Sequence, residues 1–99
     1  MIEEHITNTA LLEQCAEECA ELAHACLKLA RKIRNENPTP VSEEFARMDV
    51  AEEIADVELC IDILLKKFDM PRSEIVFRKA QKKSRWENRI KQQISKEGV

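Results

Sequence analysis

The chain has 99 residues and no glycine before Gly98. Tight two-residue hairpins, phosphate-binding loops and dinucleotide-binding turns all rely on glycine, because only glycine adopts their backbone conformations without steric cost. An all-β sandwich and a doubly wound sheet are therefore excluded as readings. Aromatic residues make up 4% of the chain and charged residues 35%, and Ala, Leu, Glu and Lys are abundant. Such a composition favours helix.

Periodicity and punctuation predict three helices within a single domain spanning residues 1–99, at about 8–34, 42–68 and 73–94. In the first, Leu12, Cys15, Cys19, Leu22, Cys26, Leu29 and Ile33 recur at alternating three- and four-residue steps, with Thr7, Asn8 or Thr9 as N-cap. The segment Asn35-Glu36-Asn37-Pro38-Thr39-Pro40 ends it, since two prolines in three residues cannot continue a helix. Ser42 caps the second helix, whose stripe is Val50, Ile54, Val57, Ile61, Leu64 and Phe68. Asp69-Met70-Pro71 breaks the chain again, and Ser73 with Glu74 opens the third helix. Long helices on short loops imply an all-α antiparallel bundle. The second helix also carries Phe45, Met48, Leu59, Cys60 and Ile63 off its stripe, more apolar surface than one neighbour covers. That excess predicts completion of the core by homo-oligomerisation, as a homodimer or homotetramer.

No apolar run approaches the roughly 18 residues that cross a bilayer, and Met1-Ile2-Glu3-Glu4 is acidic with no signal-peptide core. A soluble, cytoplasmic chain with no membrane partner is expected. The four cysteines agree with a reducing compartment: none forms a CxxC pair, and Cys15, Cys19, Cys26 and Cys60 read as small core residues. A zinc site from Cys15, Cys19 and Cys60 is the competing reading.

Charge is divided unevenly. Residues 1–70 hold 7 Lys/Arg against 16 Asp/Glu, net −9, whereas residues 71–99 hold 9 against 3, net +6. Within the acidic part, Glu18 and Glu21 each stand one position before a stripe residue, and so do Glu53 and Asp56 on the next helix. At roughly 100° per residue the two i, i+3 pairs meet along one edge when the stripes pack. Glu53 and Asp56 lie opposite the solvated side marked by Glu44, Arg47, Glu58 and Asp62, hemmed by Val57, Cys60 and Ile63. Carboxylates in an apolar setting are costly without a compensating cation. Four hard oxygen donors select Mg²⁺, with Mn²⁺ able to substitute. A di-iron bundle would need two Glu-x-x-His units, and Glu21-Leu22-Ala23-His24 is the only one.

The pattern Glu17-Glu18-x-x-Glu21 followed by Glu53-x-x-Asp56 resembles that of the MazG-like all-α nucleoside triphosphate pyrophosphohydrolases, and the resemblance extends over nearly the whole chain. It implies that Glu18, Glu21, Glu53 and Asp56 bind Mg²⁺, with Glu17 orienting water or a second ion. It further implies hydrolysis of a nucleoside or deoxynucleoside triphosphate to a monophosphate and pyrophosphate, in the cleansing or control of nucleotide pools. The resemblance places a basic KxxxNxxR pattern on the last helix. Here the corresponding residues are Lys82, Trp86 and Arg89, with tryptophan in place of asparagine and Arg85 on the same face. Lys82, Arg85 and Arg89 would bind phosphates, and Trp86 would stack on a base or anchor the helix.

Two other functions compete. One is the related phosphoribosyl-ATP pyrophosphohydrolase activity. The other is a non-enzymatic helical adaptor or nucleic-acid binder using the basic tail. The acidic body and the absence of a DNA-binding motif argue against nucleic acid as a partner.

Overall fold

The structure is a computed structural model describing residues 1–36 and 40–98. Among these residues all regular structure is α-helical: α1 (Ile2–His5), α2 (Asn8–Arg34), α3 (Glu43–Lys67) and α4 (Arg72–Glu97). None of these helices is long and apolar enough to cross a membrane. The chain divides into two units, Met1–Phe68 and the residues from Asp69 onward.

The helix ends follow from local chemistry. Thr7 caps α2 by accepting a hydrogen bond from the Ala10 N–H at 3.1 Å, and Ser42 caps α3 through the Phe45 N–H at 3.2 Å. Asn35 closes α2 in the left-handed conformation at φ 57°. Asp69 adopts the same conformation, at φ 51°, beyond the end of α3. These side chains tolerate left-handed backbone better than most, so they serve where glycine would otherwise be expected. Of the break at 35–40, Asn37, Pro38 and Thr39 lie outside the described residues. The last helix begins at Arg72 after Pro71, without a side-chain cap, and continues to Glu97, three residues past the expected end.

In the first unit α2 and α3 pack antiparallel. Cys15 meets Cys60 toward one end of the contact, while Ala25 and Asp49 line a shared groove toward the other. The core is small: its buried side chains are Leu11, Ala25, Ala46 and Leu65. The contact also runs along a different line from the expected stripes. On α2 the buried and half-buried positions include Leu11, Cys15, Glu18, Leu22, Ala25 and Leu29; on α3 they include Ala46, Val50, Glu53, Val57, Cys60, Leu64 and Leu65. Only Cys15, Leu22, Leu29, Val50, Val57 and Leu64 belong to both patterns. Ala25 and Ala46 are buried, and such small side chains permit close helix approach, in keeping with burial displaced by about one position on each helix. Leu12, Ile33, Ile54 and Ile61 consequently remain exposed. So do Cys19 and Cys26, which corrects their assignment to the core.

The N-terminal turn α1 was absent from the expected elements. It packs on α3, with Lys67 Nζ donating to the Glu3 carbonyl at 2.8 Å and Lys66 Nζ lying 3.6 Å from the Glu3 carboxylate. These contacts turn Ile2 and Ile6 toward the mouth of the α2–α3 hairpin.

Candidate metal centre

The one-position turn of the helix contact has a direct chemical consequence. Glu18 and Glu53, expected beside the seam, are in it. Both are half-buried, whereas Glu21 and Asp56, one helical turn further along, are exposed at the rim. Each of the four offers a carboxylate oxygen, and these oxygens all lie within 4.8 Å of one another. Among the described residues it is the one group of three or more His, Cys, Asp or Glu side chains that could share a metal ion.

The electrostatics are those of a site lacking positive charge. Glu18 Oε2 and Glu53 Oε2 are buried and accept no hydrogen bond. The other Glu18 oxygen, Oε1, accepts from Gln14 Nε2 at 2.8 Å. Loss of solvation pushes the Glu18 carboxyl above its ordinary range, the Glu21 charge adds to this, and the Gln14 amide opposes it. Glu53 is pushed the same way by loss of solvation first, then by Glu21, Asp56 and Glu18. A carboxylate oxygen buried without a donor is costly, and two of them facing other carboxylates are costlier. A divalent cation bound by oxygen ligands would satisfy both oxygens and reverse the sign of the local field. The donor set fits Mg²⁺ or Mn²⁺.

The remaining candidates separate clearly. Glu17 is exposed and does not join the four-carboxylate group. Cys15 and Cys60 are half-buried, and the Cys15 thiol points to the Cys60 carbonyl with Sγ···O of 3.7 Å. Burial pushes the Cys60 thiol up, with Cys15 adding to the effect, as suits a packed neutral thiol. Neither joins Cys19 in a metal-binding group, so the zinc reading finds no cluster among the described residues. His24 likewise stands outside the group.

Two grooves of unlike chemistry flank the carboxylates within the first unit. Toward the N-terminus of α2, Glu18 and Asp56 share a groove with Ile2, Ile6, Leu59 and Ile63. Toward its C-terminus, Glu21 and Glu53 share another with His24, Lys28 and Asp49. Ile2, Ile6 and Asp49 were not singled out from the sequence. The i, i+4 spacing of Ile2 and Ile6 was the one available sign of the N-terminal turn. Lys28 follows Glu21 by seven residues and so falls on the same helix flank.

The basic residues of α4 form a separate feature, in the second unit. Lys82, Arg85 and Arg89 line one concave patch on that helix together with Trp86 and Asn88. Trp86 is 66% exposed. Asn88 lies two residues beyond Trp86 and so off the asparagine position of the basic pattern. No family model, curated protein or solved structure matches this chain.

Proposed function

We propose that this chain is a Mg²⁺-dependent nucleoside triphosphate pyrophosphohydrolase, converting a nucleoside or deoxynucleoside triphosphate and water to the monophosphate and pyrophosphate. The observation carrying the proposal is the pair of buried, donor-less oxygens, Glu18 Oε2 and Glu53 Oε2, within a four-carboxylate group. An arrangement so unfavourable on its own is explained by a cationic ligand. A divalent ion with a phosphate ester as its further ligand fits a hard-oxygen site of this kind.

In this reading Glu18 and Glu53 hold the ion from the seam, and Gln14 fixes the orientation of Glu18. Glu21 and Asp56 close the site from the exposed rim. A rim carboxylate oxygen not engaged by the ion takes the proton from the attacking water. When bound, the ion polarises the phosphoryl oxygens and neutralises developing negative charge. The resemblance gives Lys82, Arg85 and Arg89 of the second unit the role of phosphate contacts, with Trp86 on the same concave patch. Glu17 is left outside the ligand set, in the second-ion or water-orienting role implied by the resemblance.

The uncovered halves of the two expected stripes support self-association as part of the same proposal. Leu12, Ile33, Ile54 and Ile61 are 38–55% exposed, and Phe45 and Met48 are more than half exposed. A second copy of the hairpin would cover this apolar surface. Light scattering on the purified protein should therefore give a mass at least twice 11.5 kDa.

The activity is tested by incubating the protein with a panel of ribo- and deoxyribonucleoside triphosphates and Mg²⁺. Pyrophosphate is expected, and chelation of the metal should stop its release. Release of orthophosphate alone, or no turnover of any nucleotide, would overturn the proposal.

A further inference from the structure

The two grooves beside the carboxylate group differ in a way that assigns a direction to the substrate. The groove ending on Glu18 and Asp56 is walled by Ile2 and Ile6 from α1, Leu11 from α2, and Leu59 and Ile63 from α3. Its volume is about 200 Å³. That is below the roughly 300–1,000 Å³ of pockets holding whole drug-sized ligands, so it suits one ring system and not an entire nucleotide. Gln14 is its one polar wall residue other than the two carboxylates and Cys60, and the Gln14 amide already donates to Glu18.

The opposite groove, ending on Glu21 and Glu53, is about 530 Å³. It contains Lys28 and His24 on the α2 side and Asp49 on α3. Lys28 lies seven residues beyond Glu21 and Gln14 four residues before Glu18, so the grooves extend roughly 5–10 Å to either side of the carboxylates at 1.5 Å per residue. An elongated ligand with one apolar end and one anionic end can therefore span the group in only one favourable sense. Asp49 adds negative charge, which means that a polyphosphate enters this groove as its divalent-cation complex.

We infer that the nucleoside end of the substrate occupies the Ile2–Ile6–Leu59 groove and the polyphosphate end lies along Lys28 and His24, placing the scissile α–β linkage at the carboxylate group. This inference rests on the pyrophosphohydrolase reading and deepens it. Ile6 and Leu59 become residues that contact the base, and Lys28 a residue that contacts the departing pyrophosphate.

The two products separate these contacts, because the monophosphate carries the base and pyrophosphate carries only charge. Product-inhibition constants are measured for both, on the wild-type protein and on Ile6→Ala, Leu59→Ala and Lys28→Ala, with circular dichroism checking the fold. Leu59 is 54% exposed, so its truncation spares the core even if Ile6→Ala loosens α1. Leu59→Ala should weaken inhibition by the monophosphate roughly fivefold, the order expected for losing one or two buried methylene contacts. Its pyrophosphate inhibition should stay within about twofold of wild type on the same scale. Lys28→Ala should do the reverse, weakening pyrophosphate about tenfold through loss of a charge-assisted contact. Equal shifts in both constants, or the inverted pattern, would overturn the inference while leaving the activity standing. Failure of the wild-type protein to release pyrophosphate from any nucleotide would remove the activity and the inference together.

Discussion

The acidic seam of α2 and α3 and the basic face of α4 carry opposite charge, but they differ more in what that charge costs. Glu18 and Glu53 hold buried oxygens without donors inside a helix contact, and both carboxyls are pushed up by that setting. The Lys82, Arg85 and Arg89 side chains stand on exposed positions, where long basic residues are ordinary. Hence the seam needs an explanation beyond folding, whereas the α4 face needs none. A charge array becomes informative about function when the fold makes it unfavourable. Variants in the two regions should differ accordingly.

If the chain is the pyrophosphohydrolase proposed above, the largest contrast is in turnover. Glu53→Gln and Glu18→Gln keep the size of the side chain but remove a ligand charge, and each should reduce kcat by at least about 100-fold. The helical circular dichroism signal should be retained. A seam variant with more than half of wild-type activity would remove the distinction between the regions. Ion binding gives a second measure that needs no substrate. With free Mg²⁺ or Mn²⁺ at ten times its dissociation constant, binding should stabilise the folded chain by ~1.4 kcal/mol. For a domain of this size that is a rise of about 5–10 °C in Tm. The rise should disappear in Glu53→Gln and persist in Arg85→Ala.

Much of this was readable from the sequence, and the misses have definite causes. The ends of α2 and α3 were legible because Thr7 and Ser42 carry the capping chemistry themselves. Turn α1 spans only Ile2–His5, too short for hydrophobic periodicity to register. The line of helix contact was legible at Cys15, Leu22 and Leu29 but not on either side of them. Hydrophobicity favours Cys19 and Cys26 over Glu18 and Ala25, whereas packing favours the small Ala25 and tolerates Glu18. Thus the same preference that located the carboxylate pairs beside the seam hid the place of Glu18 and Glu53 within it. That Lys28 and Asp49 line one groove depends on the antiparallel register, which no local pattern encodes.

A smaller effect concerns pH and has a definite sign. Glu18 and Glu53 have folded-state carboxyls raised above the ordinary value. The folded form therefore binds protons more tightly than the unfolded chain at these two residues. The stability they contribute is fully present below the unfolded carboxylate value, about 4.3, and is lost as pH rises through the raised folded value. Without a divalent ion, Glu18→Gln and Glu53→Gln should melt above wild type at neutral pH and match it near pH 4. Thermal scans across that range in a chelating buffer test this. Equal melting temperatures at every pH would show that the seam carries no electrostatic strain, and would make it resemble α4.

The smallest expected effect lies on α4. Arg85→Ala and Arg89→Ala remove one of several exposed cations, each of which solvent and salt partly screen. Each should raise KM for the triphosphate about three- to tenfold and leave kcat within about twofold, the pattern of lost substrate binding. Lys82→Ala should follow the same pattern, and combining it with Arg85→Ala should flatten the dependence of KM on ionic strength. A mainly binding effect on α4, against a mainly catalytic one in the seam, would make the difference in cost a difference in role. A kcat loss of about 100-fold in Arg85→Ala would instead place the guanidinium in transition-state stabilisation. The exposed basic face would then be as integral to the chemistry as the seam carboxylates.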